Sequence, residues 1–284
     1  MLISEALKWG EKQLSSLAIS NPQMEALWML SATSSIERSE IFLKRGILLS
    51  RTKAIKYKER IRQRLNGFPL PYILGSQEFM GLSFQVNENT LIPRQETELI
   101  VEESVRRLQK ISNPRIVEIG SGTGNISVSI AKNIPSVKIV SIELSRSALK
   151  VAKRNAEMNG VEEAITFLEG DLFSPLLSDS GISCSFDLVV SNPPYIRSRV
   201  LDRLQKEIQF EPRVALDGGA NGLKVIQPLI ERARKYLKKN GALLIEIGFD
   251  QSKIAGELMK SFGYQNIKKI QDYSGIDRVV VGNL

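Results

Sequence analysis

The sequence predicts a doubly wound α/β fold, a mostly parallel seven-stranded sheet, with a small helical domain ahead of it. Three observations carry this. From Arg115 onward, apolar strand-like runs alternate with helical patterns, the order that builds a parallel sheet with helices on both faces. The runs FDLVVS and ALLIEIG are nearly continuous apolar stretches, as strands covered on both faces require. The first 75 residues read as helices instead, and 284 residues suit two domains of roughly 150 each.

In chain order, Asn21-Pro22 reads as an N-cap followed by proline at the first helical position. Ala26, Leu27 and Leu30 follow at helical spacing. A second helix is predicted from about Thr52 to Asn66, stopped by Gly67. Its Ala54, Ile61 and Leu65 share one face, and Lys53, Lys56, Arg60 and Arg64 form a separate stripe. About four helices make a small bundle. The Pro- and Gly-rich segment from Gly67 to Gly75 reads as a boundary, and residues 77–92 as a hairpin around Gly81. A helix from about Glu96 to Lys110 leads into the alternating region. There RIVEIG, VKIVSIE, AITFLEG, FDLVVS and ALLIEIG are strands. Helices are predicted at about 122–133, at 146–158 between Ser145 and Gly160, and at 222–238. One helix and two strands fill about 251–282. The domain division is 1–75 helical, 76–95 hairpin linker and 96–284 the alternating α/β domain.

Composition narrows the chemistry. The chain is 42% hydrophobic and 25% charged, ordinary for a globular protein. It contains no histidine, which removes histidine-based triads, histidine-ligated zinc and any imidazole base. A single cysteine, Cys184, allows no internal disulfide and argues against a thiolate metal site; no metal is expected. No run of about 18 apolar residues is present, and the N-terminus lacks the order of a signal peptide. A cytoplasmic protein without a membrane partner is the expectation. Net charge is +8, and residues 1–75 hold 12 Lys and Arg against 6 Asp and Glu. Such an excess suits a nucleic-acid or ribonucleoprotein partner, and equally a solvated helix face.

Three segments carry chemistry. VEIGSGTG, Val117 to Gly124, is a buried strand running into a glycine turn that opens a helix. Glycines let backbone approach a ligand, and the helix N-terminus offers free N–H groups to a carboxylate or phosphate. The dinucleotide fingerprint needs a glycine at position 125, where the chain has Asn125, so a nicotinamide cofactor is disfavoured. Glu143 ends the next strand, 19 residues after Gly124, where a carboxylate can accept both hydroxyls of a ribose. Gly170-Asp171-Leu172 ends the third strand at the same sheet edge, where an adenine would lie. This set resembles a class I S-adenosylmethionine-dependent methyltransferase with a Rossmann-like sheet.

Asn192-Pro193-Pro194-Tyr195, at the end of the fourth strand, sets the reaction. The prolines fix the backbone and hold Asn192 out of the α region. The Asn192 side-chain carbonyl and a backbone carbonyl can accept both N–H bonds of a planar –NH2 group, with Tyr195 offering a flat face. An amide or aromatic amine has a delocalised lone pair and is a poor nucleophile. Holding both N–H bonds aims the nitrogen at a sulfonium methyl, and positioning of this kind contributes roughly 7–11 kcal/mol.

NPPY in this place is similar to the amino-group methyltransferases acting on adenine, guanine or glutamine. PYILG, FMGLSFQV, LIPRQETELIVE, NAEMNG, FEPRVALDGGANGL, EIGFDQ and DYSGIDRVVV resemble the glutamine branch, the release factor glutamine N5-methyltransferases of the PrmC or HemK family. The resemblance spans essentially the whole chain. It implies methyl transfer to the side-chain amide of the glutamine in the Gly-Gly-Gln motif of peptide chain release factors. It also implies that Gly120, Ser121, Gly122, Thr123 and Gly124 hold the cofactor's amino-acid end. Glu143 would bind the ribose, Asp171 and Leu172 would flank the adenine, and Asn192, Pro193, Pro194 and Tyr195 would grip the glutamine amide, with Asn192, Pro193 and Tyr195 as the catalytic residues and Asn192 also touching the cofactor. Departures from the family pattern are Phe68 for Glu, Gln95 for Pro, Glu143 for the commoner Asp, and Asn221 for Asp. Two other readings stand beside it: a nucleic-acid amino-methyltransferase acting on adenine N6 or guanine N2, and a non-catalytic protein that keeps the cofactor-binding shape. A monomer whose stripe of Lys53, Lys56, Arg60 and Arg64 meets an acidic patch on the release factor completes the expectation. Glu96 and Glu98 are candidates for taking the departing amide proton.

Overall fold

The structure, a computed structural model, describes residues 1–177 and 185–284; Cys184 lies outside the described residues. It divides into two units, Met1–Ser76 with Gln205–Phe210, and Gln77–Leu204 with Glu211–Leu284.

The first unit holds α1 (Ile3–Leu14), α2 (Pro22–Ser34), α3 (Arg51–Leu65) and α4 (Leu70–Leu74). Asn21 caps α2 by accepting the Met24 N–H at 3.1 Å, and Ser50 caps α3. The core gathers Ile3, Leu14, Met29, Leu30, Ile41, Tyr57 and Ile61, all fully buried. Gly10 lets α1 approach closely: a Cβ there would lie 2.0 Å from the Tyr57 hydroxyl oxygen. The segment expected as a mere boundary contains α4. Pro69 and Pro71 stand at its start, where their missing N–H groups cost nothing, and Gly75 ends it at φ +79.

The basic stripe expected on the third helix is corrected. Lys53 donates to the Ser34 carbonyl and Arg60 to Thr33 Oγ1 at 2.8 Å. Arg64 is buried between Glu25 at 2.5 Å and Glu207 at 2.8 Å. Three of the four cations thus turn inward to satisfy carbonyls and carboxylates, leaving Lys56 exposed. The sequence shows helical spacing, and Lys and Arg can bury their stems while a partner meets the head group.

The second unit starts at Gln77, within the hairpin of β1 (Ser76–Phe79) and β2 (Leu82–Gln85). Its turn is Met80-Gly81, with φ +52 and +71, the left-handed pair a tight hairpin needs. A 3-10 turn at Gln95–Thr97 precedes α5 (Glu98–Leu108), where one helix from Glu96 was expected. Then follow β3 (Arg115–Ile119), α6 (Asn125–Asn133), β4 (Lys138–Glu143), α7 (Arg146–Met158), β5 (Ile165–Glu169) and β6 (Phe186–Ser191). The chain continues through α8 (Ser198–Leu201), α9 (Ile226–Ala233), β7 (Leu237–Glu246), α10 (Ser252–Ser261), β8 (Gln265–Gln271) and β9 (Asp277–Asn283). The helix expected at 222–238 is only α9, because Leu237 already pairs with Phe186 of β6 through an irregular register.

The seven strands run in the order β5-β4-β3-β6-β7-β9-β8. The first five are parallel, and β9 is antiparallel to both neighbours. This is the mostly parallel, doubly wound sheet the alternation predicted, with an apolar core cluster on each face. Register places the site. Ile119 pairs with Ser191, and Ser191 with Ile245, so Gly120, Asn192 and Glu246 emerge side by side at one edge. Among the described residues no helix is long and apolar enough to cross a membrane.

Candidate active site

The glycine turn is fixed from below. Gly120 N–H donates to the Ile142 carbonyl at 2.8 Å. Gly122 N–H and Ser145 N–H donate to the two Glu143 carboxylate oxygens at 2.9 and 2.8 Å. Gly120, Gly122 and Gly124 have φ of +82, +54 and +78, conformations that a Cβ penalises. A Cβ built on Gly120 or Gly122 meets no protein atom within 4 Å. The glycines therefore keep open space clear, a cradle in which a ligand can lie against backbone. Each Glu143 oxygen keeps a further lone pair for a hydroxyl.

Glu118 lies beneath the turn, fully buried. Burial pushes its carboxyl up to about 7, against hydrogen bonds from Ser141 and Ser127. Ser141 donates to it at 2.5 Å and lies 2.5 Å from Ser121 Oγ, so the acid is tied to the turn. Asn155 of α7 bridges outward: its amide donates to the Thr123 carbonyl at 2.8 Å and to the Gln85 carbonyl at 3.0 Å, and accepts the Gln85 N–H at 2.7 Å. The hairpin and the turn are thereby one structure.

Above the sheet edge is a cavity of about 710 Å³, a volume suited to a cofactor-sized ligand. Gly120, Ser121, Gly122, Thr123, Glu143, Asp171, Leu172, Asn192 and Pro194 are on its wall. Gly124 opens α6, with its Cβ position against Ala152 at 3.3 Å. Pro193 is buried. Tyr195 is not on this wall: its hydroxyl donates to Glu246 Oε1 at 3.3 Å, and burial raises its pKa.

Thr97 joins the cavity from the turn before α5. Asn192 Nδ2 donates to Thr97 Oγ1 at 3.0 Å, and Thr97 Oγ1 donates to Glu246 Oε2 at 2.6 Å. The Asn192 amide thus spends its nitrogen on the protein and keeps Oδ1 as an acceptor. Of the two candidates for taking the amide proton, Glu98 accepts the Met80 N–H at 2.8 Å and Glu96 faces Arg278 at 3.8 Å. The threonine between them is the residue that reaches Asn192.

The backbone after Asn192 is clamped by the loop FEPRVALDGGANGL. Ile196 and Asp217 form a parallel bridge. Gln251 Nε2 donates to the Tyr195 carbonyl at 3.2 Å and the Gly222 carbonyl at 3.1 Å. A Cβ on Gly222 would lie 2.5 Å from the Tyr195 carbonyl oxygen, so only glycine fits. Glu211, buried, accepts the Ile92 N–H at 3.0 Å and pairs with Arg94, tying the linker to this loop. Asn221 Oδ1 accepts the Leu223 N–H at 3.0 Å, a bond that Asp would make equally well. Sequence reasoning assigned no role to Thr97, Glu246, Glu211, Gln251 or Asn155. The signal was present only as membership of the quoted segments.

A family model described as a methyltransferase domain matches residues 110–276, and one described as the PrmC N-terminal domain matches residues 5–75. The release factor glutamine methyltransferase of Geobacter sulfurreducens is 38% identical over 283 residues, 99% of this chain and 96% of that protein. The protein of the same description from Moorella thermoacetica is 35% identical over 279 residues, 98% of this chain and 97% of the other. Among solved structures, the hMettl16 catalytic domain in complex with MAT2A 3′UTR hairpin 6 superposes with a TM-score of 0.56 at 16% identity, covering 82% of each chain. That likeness is one of fold. The chain belongs to the release factor glutamine methyltransferase family.

Proposed function

We propose that this member of the release factor glutamine methyltransferase family transfers a methyl group from S-adenosylmethionine to a glutamine side-chain amide. The acceptor is the glutamine of the Gly-Gly-Gln motif in peptide chain release factors. The observation that carries the reading is the placement of Asn192, its amide nitrogen held by Thr97, on the wall of the cavity that also holds the glycine turn and Glu143. The family supports the substrate: relatives described as release factor glutamine methyltransferases match over nearly the full chain.

The residues present fit the cofactor. Gly120 to Gly124 would hold its amino-acid end against backbone N–H groups, Glu143 its ribose hydroxyls, and Asp171 and Leu172 its adenine. When bound, the cofactor would supply a sulfonium methyl to the amide nitrogen, with S-adenosylhomocysteine as the other product and one amide proton lost. Asn192 Oδ1 and the Pro193 carbonyl accept the two amide N–H bonds, turn the lone pair outward and restrain the nitrogen. Pro193 and Pro194 keep those carbonyls fixed. Tyr195, held by Glu246 and Gln251, supports this end. Recognition of the protein substrate is assigned to residues 1–75, with 76–95 as linker and 96–284 as the catalytic domain. A cytoplasmic monomer goes with this substrate.

The test is transfer of labelled methyl to purified release factor, to its Gly-Gln→Gly-Ala variant, and to total nucleic acid. Label in the release factor alone, absent from the variant, is the expected result. Label in nucleic acid would move the chain to the base-modifying branch with the same site.

A further inference from the structure

Two side chains around Asn192 have no part in gripping a substrate. Thr97 and Glu246 are both almost fully buried, at 1% and 2% exposure. They come from elements 149 residues apart. A buried polar network whose members are all satisfied rigidifies and specifies one arrangement.

The direction of the relay follows from counting protons. A threonine hydroxyl has one proton. An ionised Glu246 only accepts, so that proton must point to Glu246 Oε2, at 2.6 Å. Thr97 Oγ1 is then an acceptor toward Asn192, and only the amide Nδ2 can face it, at 3.0 Å. Oδ1 is left for the acceptor amide. The other Glu246 oxygen accepts from the Tyr195 hydroxyl at 3.3 Å, so one carboxylate orients both polar side chains of NPPY. Resting on the functional reading above, we propose that Glu246, acting through Thr97, is a positioning residue that fixes which end of the Asn192 amide meets the substrate.

A protonated Glu246 undoes this. Its O–H can donate to Thr97, whose proton then turns toward Asn192 and is accepted only by Oδ1. The amide turned over presents Nδ2 to the substrate –NH2, donor against donor. Glu246 is poised for the change. Burial pushes its carboxyl up to about 7. Glu96 pushes the same way, while Arg278 and the hydrogen bonds from Thr97 and Tyr195 oppose it. Arg278 is shared with Asp272 at 2.8 Å and Glu96 at 3.8 Å, so its charge is not spent on Glu246 alone.

The experiment measures kcat for methyl transfer to a Gly-Gly-Gln peptide from about pH 5.5 to about 8.5. Cofactor affinity and melting temperature are recorded beside it. Wild-type kcat is expected to rise with pH through one inflection and level off. Thr97→Val should lower kcat roughly ten- to a hundredfold with cofactor affinity unchanged, Thr97→Ser should restore most of it, and Glu246→Gln should remove the inflection. A flat wild-type profile overturns the proposal without reference to any variant's folding. So does Thr97→Val at wild-type kcat, or an inflection that persists in Glu246→Gln. A wild-type protein that transfers nothing to the glutamine peptide overturns the functional reading instead.

Discussion

The two ends of the cavity are held by different means. At the cofactor end the bonds that fix the turn are shorter in range: Glu143 accepts from Gly122 and from Ser145, 21 and 2 residues away, and Asn155 reaches Thr123 across 32 and Gln85 across 70. At the acceptor end they are long-range: Asn192 to Thr97 spans 95 residues, Thr97 to Glu246 spans 149, and Ile92 to Glu211 spans 119. The difference matches the tasks. Holding a ligand against backbone needs a turn of defined φ, which a few glycines provide. Holding a planar amide in one of two orientations needs side chains whose own donors and acceptors are already committed.

The sharpest way to break this division is Asn192→Ala. The expected outcome is a loss of roughly 10²–10³ in transfer rate, the scale of one lost positioning group, with cofactor affinity kept, read by equilibrium binding beside turnover. Loss of binding with rate would erase the distinction.

Each end also carries one buried carboxyl raised to about 7, Glu118 and Glu246. Both favour the protonated folded state. Stability is therefore greatest below the unfolded value of 4.5 and falls as pH rises through about 7. The loss is of the order of 3 kcal/mol per group, read by denaturant melts across this range. Glu118→Gln should flatten part of that slope while leaving the pH dependence of kcat, which sharpens the comparison because only the acceptor-end acid acts on Asn192.

Glu143→Ala should weaken cofactor binding roughly 10- to 100-fold, since it removes acceptors from two turn N–H groups and, on the proposed reading, from the ribose. The rate at saturating cofactor should change little, as single-turnover measurement would show. The smallest effect expected is Asn221→Asp, within about 0.5 kcal/mol of wild-type stability by chemical denaturation, because the bond to Leu223 N–H is kept.

The same contrast explains what was legible in the sequence. The sheet could be read from its apolar alternation, and the glycine turn and Glu143 from spacing along one strand–turn–helix–strand stretch. Asn192 was legible because two prolines mark its position. Thr97 was not, standing between two glutamates that drew attention as proton acceptors, with its partner on β7. Register is what brings Asn192 and Glu246 together, and register is absent from periodicity. The stripe on α3 failed for a related reason. Helical spacing gives a face, but whether Lys53, Arg60 and Arg64 meet water depends on carbonyls and carboxylates supplied by α2 and by Glu207. The helix expected over 222–238 failed at its end, where pairing with Phe186 overrides local pattern.

The most direct test of two separable ends is a double-mutant cycle between Asn192→Ala and Glu143→Ala, read as kcat/KM for methyl transfer from S-adenosylmethionine to the glutamine peptide. If one residue acts on the reaction and the other on cofactor binding, the two losses should add to within about 0.5 kcal/mol. A double variant no worse than the poorer single variant would mean the residues act as one unit, contradicting the account.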